Sequence, residues 1–410
     1  MNRRSPVRAK AVLVPAAVFV AASAMAACAP PKAAPPPKGV STTAPSHSAT
    51  TPAPTTLPPI FTGTPRLYKE QPLDGWGQDN IAYAVKIVGN TVYVGGDFSH
   101  GVHHSDSVPR SNTMAVSLTT GALSTTFVAN TNGVVYALAS DGRSLFLGGT
   151  FTNVNGVPRS GLAKVNLTTG AVDPTFTANT KGEVDDLLVV GTKLYAVGVF
   201  SSVNGMSRGS GAAVDTTTGA LDSSFDLRAD ARVNTVASNR DHSKLYVGGV
   251  FLKLGTTSRP FLAEVDPVTG HAQGPSFSSI PADVRDVTVR DDGSAVYAAV
   301  GGKYNSAVEL DPTTGHQGWR VHVDGDTQAI ASSNGYVYMG FHDGYQGNNT
   351  LRLLAVDPDN GQVDQSFMPV SGGYPGVLTL DANGKYLVSG GLFPQMGGVG
   401  VKGLSIHPAT

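Results

Sequence analysis

One pattern recurs seven times between residue 76 and the C-terminus: an apolar run ending in two small residues and then, after a spacer, a polar turn followed by an aromatic. The aromatics are Trp76, Phe127, Phe176, Phe225, Phe277, Trp319 and Phe367, spaced by 51, 49, 49, 52, 42 and 48 residues. A repeat of this length made only of short strand-like runs cannot cover both faces of its own small sheet, so the copies must stack against one another. The expected fold class is all-β, a seven-bladed β-propeller of four-stranded antiparallel blades.

The second copy shows how the strands are punctuated. Its runs are 134–140 (VVYALAS), 144–151 (SLFLGGTF), 161–167 (GLAKVNL) and 171–176 (AVDPTF), rich in Val, Leu, Phe and Tyr and bounded by Gly, Asp, Asn or Pro. The second run is apolar throughout, as a strand covered on both faces must be. The glycine pairs Gly95-Gly96, Gly148-Gly149 and Gly248-Gly249 weaken a strand by themselves, so their recurrence predicts close backbone approach or a bulge. Asn166, Asp215, Asp266, Asp311 and Asp357, each four residues before a glycine, predict side-chain-capped turns between the third and fourth strands. The last repeat stops at Thr410 without its fourth strand, and Leu73-Asp74-Gly75-Trp76 carries that strand's pattern. An N-terminal strand is therefore expected to complete the last blade and close the ring, removing an exposed sheet edge.

The motif set GG-x-F, V-N-G-x-x-R, L-A-x-V-(N/D) and T-G-x-(L/V)-D-x-(S/T)-F resembles the delta-60 or DUF5122-type β-propeller repeats of bacterial secreted and surface proteins. The resemblance covers almost all of residues 61–410 and is clearest in repeats two to four; in the sixth, MGFHDGY replaces GG-x-F. It implies architecture and brings no catalytic residues with it.

Two segments precede the repeats. Residues 1–28 combine Arg3, Arg4, Arg8 and Lys10 with an apolar stretch from Ala11 to Ala27, broken by Pro15 and too short and interrupted to be a good permanent span. They read as an export signal. Cys28, the single cysteine, follows Met25-Ala26-Ala27 as in a lipobox, so lipidation is expected; cleavage after Ala24-Met25-Ala26 to give a secreted protein is the alternative. Residues 29–60 hold ten prolines among Ala, Thr, Ser and Lys and read as a disordered tether. The expected location is the outer face of the cytoplasmic membrane or the cell surface.

A net charge of −1 and 14% charged residues exclude the basic face that nucleic-acid binding needs. A lone cysteine excludes an intramolecular disulfide and a multi-cysteine thiolate metal site. A monomer is expected.

Three constellations stand out. Arg110, Arg159, Arg208 and Arg259 recur just before the third strand, and repetition at the blade period assigns them to the scaffold, pairing with Asp173 and Asp222 or with loop carbonyls. His100, His103 and His104, with Asp97 and Asp106, crowd the first repeat's long loop as weak metal-ligand candidates. The innermost strands should bring Tyr83, Tyr136, Asp186, Thr235, Asp286, Gln328 and Leu378 to one channel mouth, with Asp185, Asn234 and Arg285 beside them. No cofactor is identified by sequence; Ca²⁺ or another divalent ion is the candidate for those carboxylates. No nucleophile elbow, HExxH, P-loop or dinucleotide fingerprint appears in a fitting context. The expected function is a non-enzymatic binding or scaffold module for a protein or cell-envelope glycan. The alternative is a metal-assisted hydrolase or lyase using Asp186 and Asp286.

Overall fold

A computed structural model describes residues 61–410; the leader with Cys28 and the Pro-rich segment 29–60 lie outside the described residues. The described chain is all-β, with one short 3-10 turn at Gly302–Tyr304. Its larger sheets repeat a single antiparallel plan in sequence order. They begin with Ile81–Val88, Val135–Ser140, Thr180–Val190, Val233–Ser238, Val284–Val289, Thr327–Ser333 and Gly376–Ala382, each pairing with the strand that follows it.

The second strands are buried along almost their whole length, as their apolar runs require, Leu145 through Gly149 being one example. The fourth strand is shorter than the sequence suggests. It is a named strand only at Ala272–Gln273 and Gln317–His322, and elsewhere shrinks to a single bridge such as Val165↔Val172 or Val214↔Leu221. Its aromatic nevertheless does the expected packing. Phe127 meets Tyr93 edge-on at 5.1 Å, Phe176 meets Phe146 at 5.6 Å, and Phe225 meets Tyr195 at 5.0 Å. Each such ring sits in an apolar cluster drawn from two successive sheets, which is what holds neighbouring sheets together.

The glycine pair does both jobs proposed for it. A Cβ on Gly148 would run into Val184 of the next sheet's first strand, and one on Gly149 into the carbonyl of Val134 in its own. The first strand also bulges beside the pair, the register slipping between Val135 and Ala137. The capped turns are also present: Asp215 Oδ1 accepts the N–H groups of Thr217 and Thr218, and Gly219 takes φ 76°.

The N-terminal segment lies along the last sheet. The Leu73 N–H donates to Ile406 O and the Lys69 N–H to Pro408 O, both at 2.8 Å, and Tyr68 bridges Ala409. Tyr68 is 1% exposed, packs on Tyr338 at 5.3 Å and shares a hydrogen bond with Ser333 Oγ. Buried His407 fixes the same seam, donating from Nδ1 to Lys69 O while Nε2 meets Ser405 Oγ.

Candidate functional site

The bulge in each first strand decides which side chains can act. One residue is extruded at the same point of every sheet: Tyr83, Tyr136, Asp185, Asn234, Arg285, Gln328 and Leu378. All seven line one cavity of about 390 Å³, together with residues further along six of these strands. The sequence alignment mixed two registers here. Asp186, Thr235 and Asp286 stand one residue later than the extruded ring, level with Ala84, Ala137, Ala329 and Thr379. A bulge adds one residue to a strand without any mark in its composition, so sequence alone slipped by that one residue.

The correction changes what the acids do. Asp186 Oδ1 accepts its own strand's Leu187 N–H, and Oδ2 accepts Val236 N–H from the next sheet at 2.8 Å. Asp286 repeats this, with Oδ1 on Val287 N–H and Oδ2 on Ile330 N–H of the next sheet at 2.9 Å. Two residues further along its strand, Asp381 accepts Ile87 N–H of the first sheet at 2.7 Å. These aspartates are latches between neighbouring sheets. Both oxygens of Asp186 and of Asp286 accept backbone N–H groups, so these side chains brace neighbouring sheets as well as lining the cavity.

Thr235 Oγ1 lies 3.2 Å from both Asp186 Oδ2 and Asp286 Oδ1. A hydroxyl has one proton to donate, so with both carboxylates ionised one of these contacts has no hydrogen. Burial pushes Asp186 up to about 6 and Asp286 up to about 7, the Asp186 charge adding to the latter. A proton retained by the pair completes the chain of hydrogen bonds.

The extruded ring is chemically mixed. Tyr83 and Tyr136 pack with ring centroids 5.0 Å apart. Asp185 is pushed upward by burial and by Glu183 beside it, with Arg232 3.4 Å from its Oδ2 and 2.8 Å from Glu183. Asn234 donates to Val284 O, and Arg285 lies between Asp283 at 2.7 Å and Asp326 at 3.3 Å. Gln328 and Leu378 complete the ring. The result is an aromatic pair in one ring with acidic, amide and basic groups, on strands that the latches join in three pairs, with Tyr136 alone on an unlatched strand.

The repeated arginines are scaffold, through carbonyls. Arg208 donates to Ser207 O, Asp222 O and Phe225 O, and Arg110, Arg159 and Arg259 make equivalent bonds. The acids expected to pair with them are taken by lysines instead, Asp173 by Lys164 and Asp222 by Lys193. Arg352 bonds Leu351 O in the same way, a fifth member hidden by the sixth repeat's altered loop.

The histidine loop separates into two groups. His100 pairs with Asp79 at 3.3 Å, and exposed Asp97 and Asp106 join no ligand cluster. His103 and His104 converge on Asp74, a residue the sequence reading used only as part of a strand pattern.

Residues 139–176 match the family model described as a domain of unknown function (DUF5122) beta-propeller. Among solved structures, the WD40 beta propeller domain of Doa1 is similar at 14% identity and a TM-score of 0.57, over 84% of this chain and 97% of that one. No curated protein matches the chain in sequence. At that identity the likeness speaks for fold alone. The chain is a β-propeller carrying a DUF5122-type repeat.

Proposed function

We propose that the protein is an envelope-tethered binding module whose seven sheets are the blades of one closed ring, with its ligand site at the channel mouth. The observation that carries this reading is the cavity to which all seven first strands contribute, ringed by unlike side chains on an otherwise repeated backbone. Individuality on a repeated scaffold is where binding specificity resides. Closure is supported by the contacts between the chain's ends. The N-terminal segment supplies the last sheet's outer hydrogen bonds, Asp381 reaches Ile87 of the first sheet, and a Cβ on Gly390 would meet Val85 there.

Arg66 N–H donates to Asn334 O, and Phe61 and Pro65 lie against Gly335, in the turn at the far end of an inner strand from its bulge. The Tyr83–Tyr136 pair suits the apolar face of a sugar or an aromatic side chain, and the neighbouring carboxyl, amide and guanidinium groups supply hydrogen bonds. The ligand class is a cell-envelope glycan or an exposed protein segment. Purified protein screened against cell-wall fragments and envelope peptides by calorimetry is expected to bind one of them saturably at one site per chain. Turnover of a lactone or glycan without stable binding would contradict the reading.

Attachment rests on Cys28 as the acylated residue. Cys28→Ala is expected to move the protein from the membrane fraction to the soluble fraction, and unchanged partition on fractionation would refute lipidation.

A further inference from the structure

The geometry points to a divalent transition-metal site formed by Asp74, His103 and His104, with the N-terminal segment and the first repeat's hairpin supplying its ligands jointly. Nothing in the repeat demands this arrangement. Elsewhere the corresponding loop is a short hairpin, as at Lys253–Leu254 with Thr257–Ser258. In the first repeat it is longer, His100–His103 with Asp106–Pro109, and takes Gly77–Gln78 as a third strand.

That added strand brings the carboxylate to the imidazoles. Asp74 is held by its neighbours, Leu73 bonding Ile406 O and Trp76 bonding Gly121 O. His103 ends a strand and packs beside Trp76 at 5.8 Å, while His104 follows in the left-handed region at φ 51°. Without that backbone turn, adjacent side chains of a strand point to opposite faces. With it, the two imidazole rings lie 4.1 Å apart and both aim Nε2 at one carboxylate, His103 at 3.2 Å and His104 at 3.1 Å.

The distances suit a metal. Ligand atoms bound at about 2.0–2.1 Å in tetrahedral geometry stand about 3.4 Å from one another. The three ligand atoms here all lie within 4.8 Å of one another, so small side-chain rotations close the set. Two imidazoles and one carboxylate select borderline ions such as Zn²⁺, Ni²⁺ or Cu²⁺ over Ca²⁺ or Mg²⁺. Three protein ligands leave a position open, and side chains 26% exposed at His103 and 63% at His104 give solvent access to it. A bound ion bridges the N-terminal segment to the first repeat's hairpin, so it stabilises the folded protein by an amount that grows with the logarithm of free ion concentration once that exceeds Kd. Its presence is independent of any ligand at the channel mouth.

Untagged protein stripped with a chelator and titrated with zinc tests the site by calorimetry and thermal melting. One zinc per chain and a melting temperature that rises with zinc are expected. His104→Ala, His103→Ala and Asp74→Asn should each weaken binding by about tenfold or more, while His242→Ala on a distant turn should not. His104 is exposed, so its variant should melt like the parent in chelator, which separates lost metal binding from lost folding. No saturable binding up to about 1 mM zinc, or equal binding by the parent and His104→Ala, would overturn the site.

Discussion

Deletion of residues 61–76 is expected to turn a cooperatively melting protein into one that aggregates on concentration. The deleted segment removes the hydrogen bonds from Leu73 and Lys69 to the last sheet and leaves the strand Leu404–Pro408 as an open edge. It also strips His407 of the carbonyl that its Nδ1–H needs. Burial holds that imidazole neutral, down to about 4, and the deletion leaves it only the Ser405 contact at Nε2. A milder variant separates aggregation from folding. Tyr68→Ala keeps the backbone pairing but empties the space against Tyr338 and Phe367, and should cost about 4 kcal/mol in denaturant unfolding. A truncated protein that stays dispersed and melts with its parent, or a Tyr68→Ala variant within about 0.5 kcal/mol of it, would show that the seam carries no stability.

The second large effect is a dependence of stability on pH set by buried acids. Asp286 ionises near 7 in the folded protein and near 3.8 when unfolded. Between those values the folded state holds a proton that the unfolded state has lost, so the acid's contribution falls as pH rises from about 4 to about 7 and is constant above that. The shift corresponds to about 4 kcal/mol, and Asp186, near 6, adds a smaller contribution of the same sign. His407 acts oppositely. Its folded value near 4 lies below the usual 6.5, so its contribution is complete above 6.5 and is lost as pH falls towards 4. His407 offsets only part of the acids' contribution, so the parent's stability should still fall between pH 4 and pH 7, and a single substitution isolates one group. Asp286→Asn gives up ideal geometry to Val287 and Thr235 but buries no charge. Its stability relative to the parent should therefore improve from pH 4 to about pH 7 and then level off, so that it is higher at pH 8 than at pH 4. Denaturant unfolding at both pH values measures this, and a constant or worsening difference would mean that Asp286 is already ionised at acid pH.

What was legible in the sequence follows from what a repeat reveals. Period, strand boundaries, the Asp-Thr-Gly turns and the glycine pairs are local features, and each appeared where repetition put it. The fourth strand was overextended because its apolar pattern persists through Val172 and Leu221 even where backbone pairing reduces to one bridge. The arginines were recognised as scaffold with two kinds of partner open, the fourth-strand acids or loop carbonyls, and the structure has the carbonyls. All seven extruded residues of the candidate site were named from the sequence, but in two mixed registers, because a bulge puts Asp185 in the extruded ring and turns Asp186 against the next sheet. The Asp74 cluster left almost no trace. Its histidines were visible, but their partner lies 29 residues away in a segment whose position depends on how the chain ends meet.

The most direct test of a binding site at the channel mouth is to titrate the ligand identified by screening against variants of the extruded ring and of the scaffold. Tyr136→Ala, Asp185→Asn and Arg285→Ala should each weaken affinity by about tenfold or more, whereas Arg159→Ala, which loses only loop carbonyl bonds, should leave it unchanged at a temperature where it is folded. Affinity unaffected by all three ring variants, or weakened equally by Arg159→Ala, would contradict the assignment.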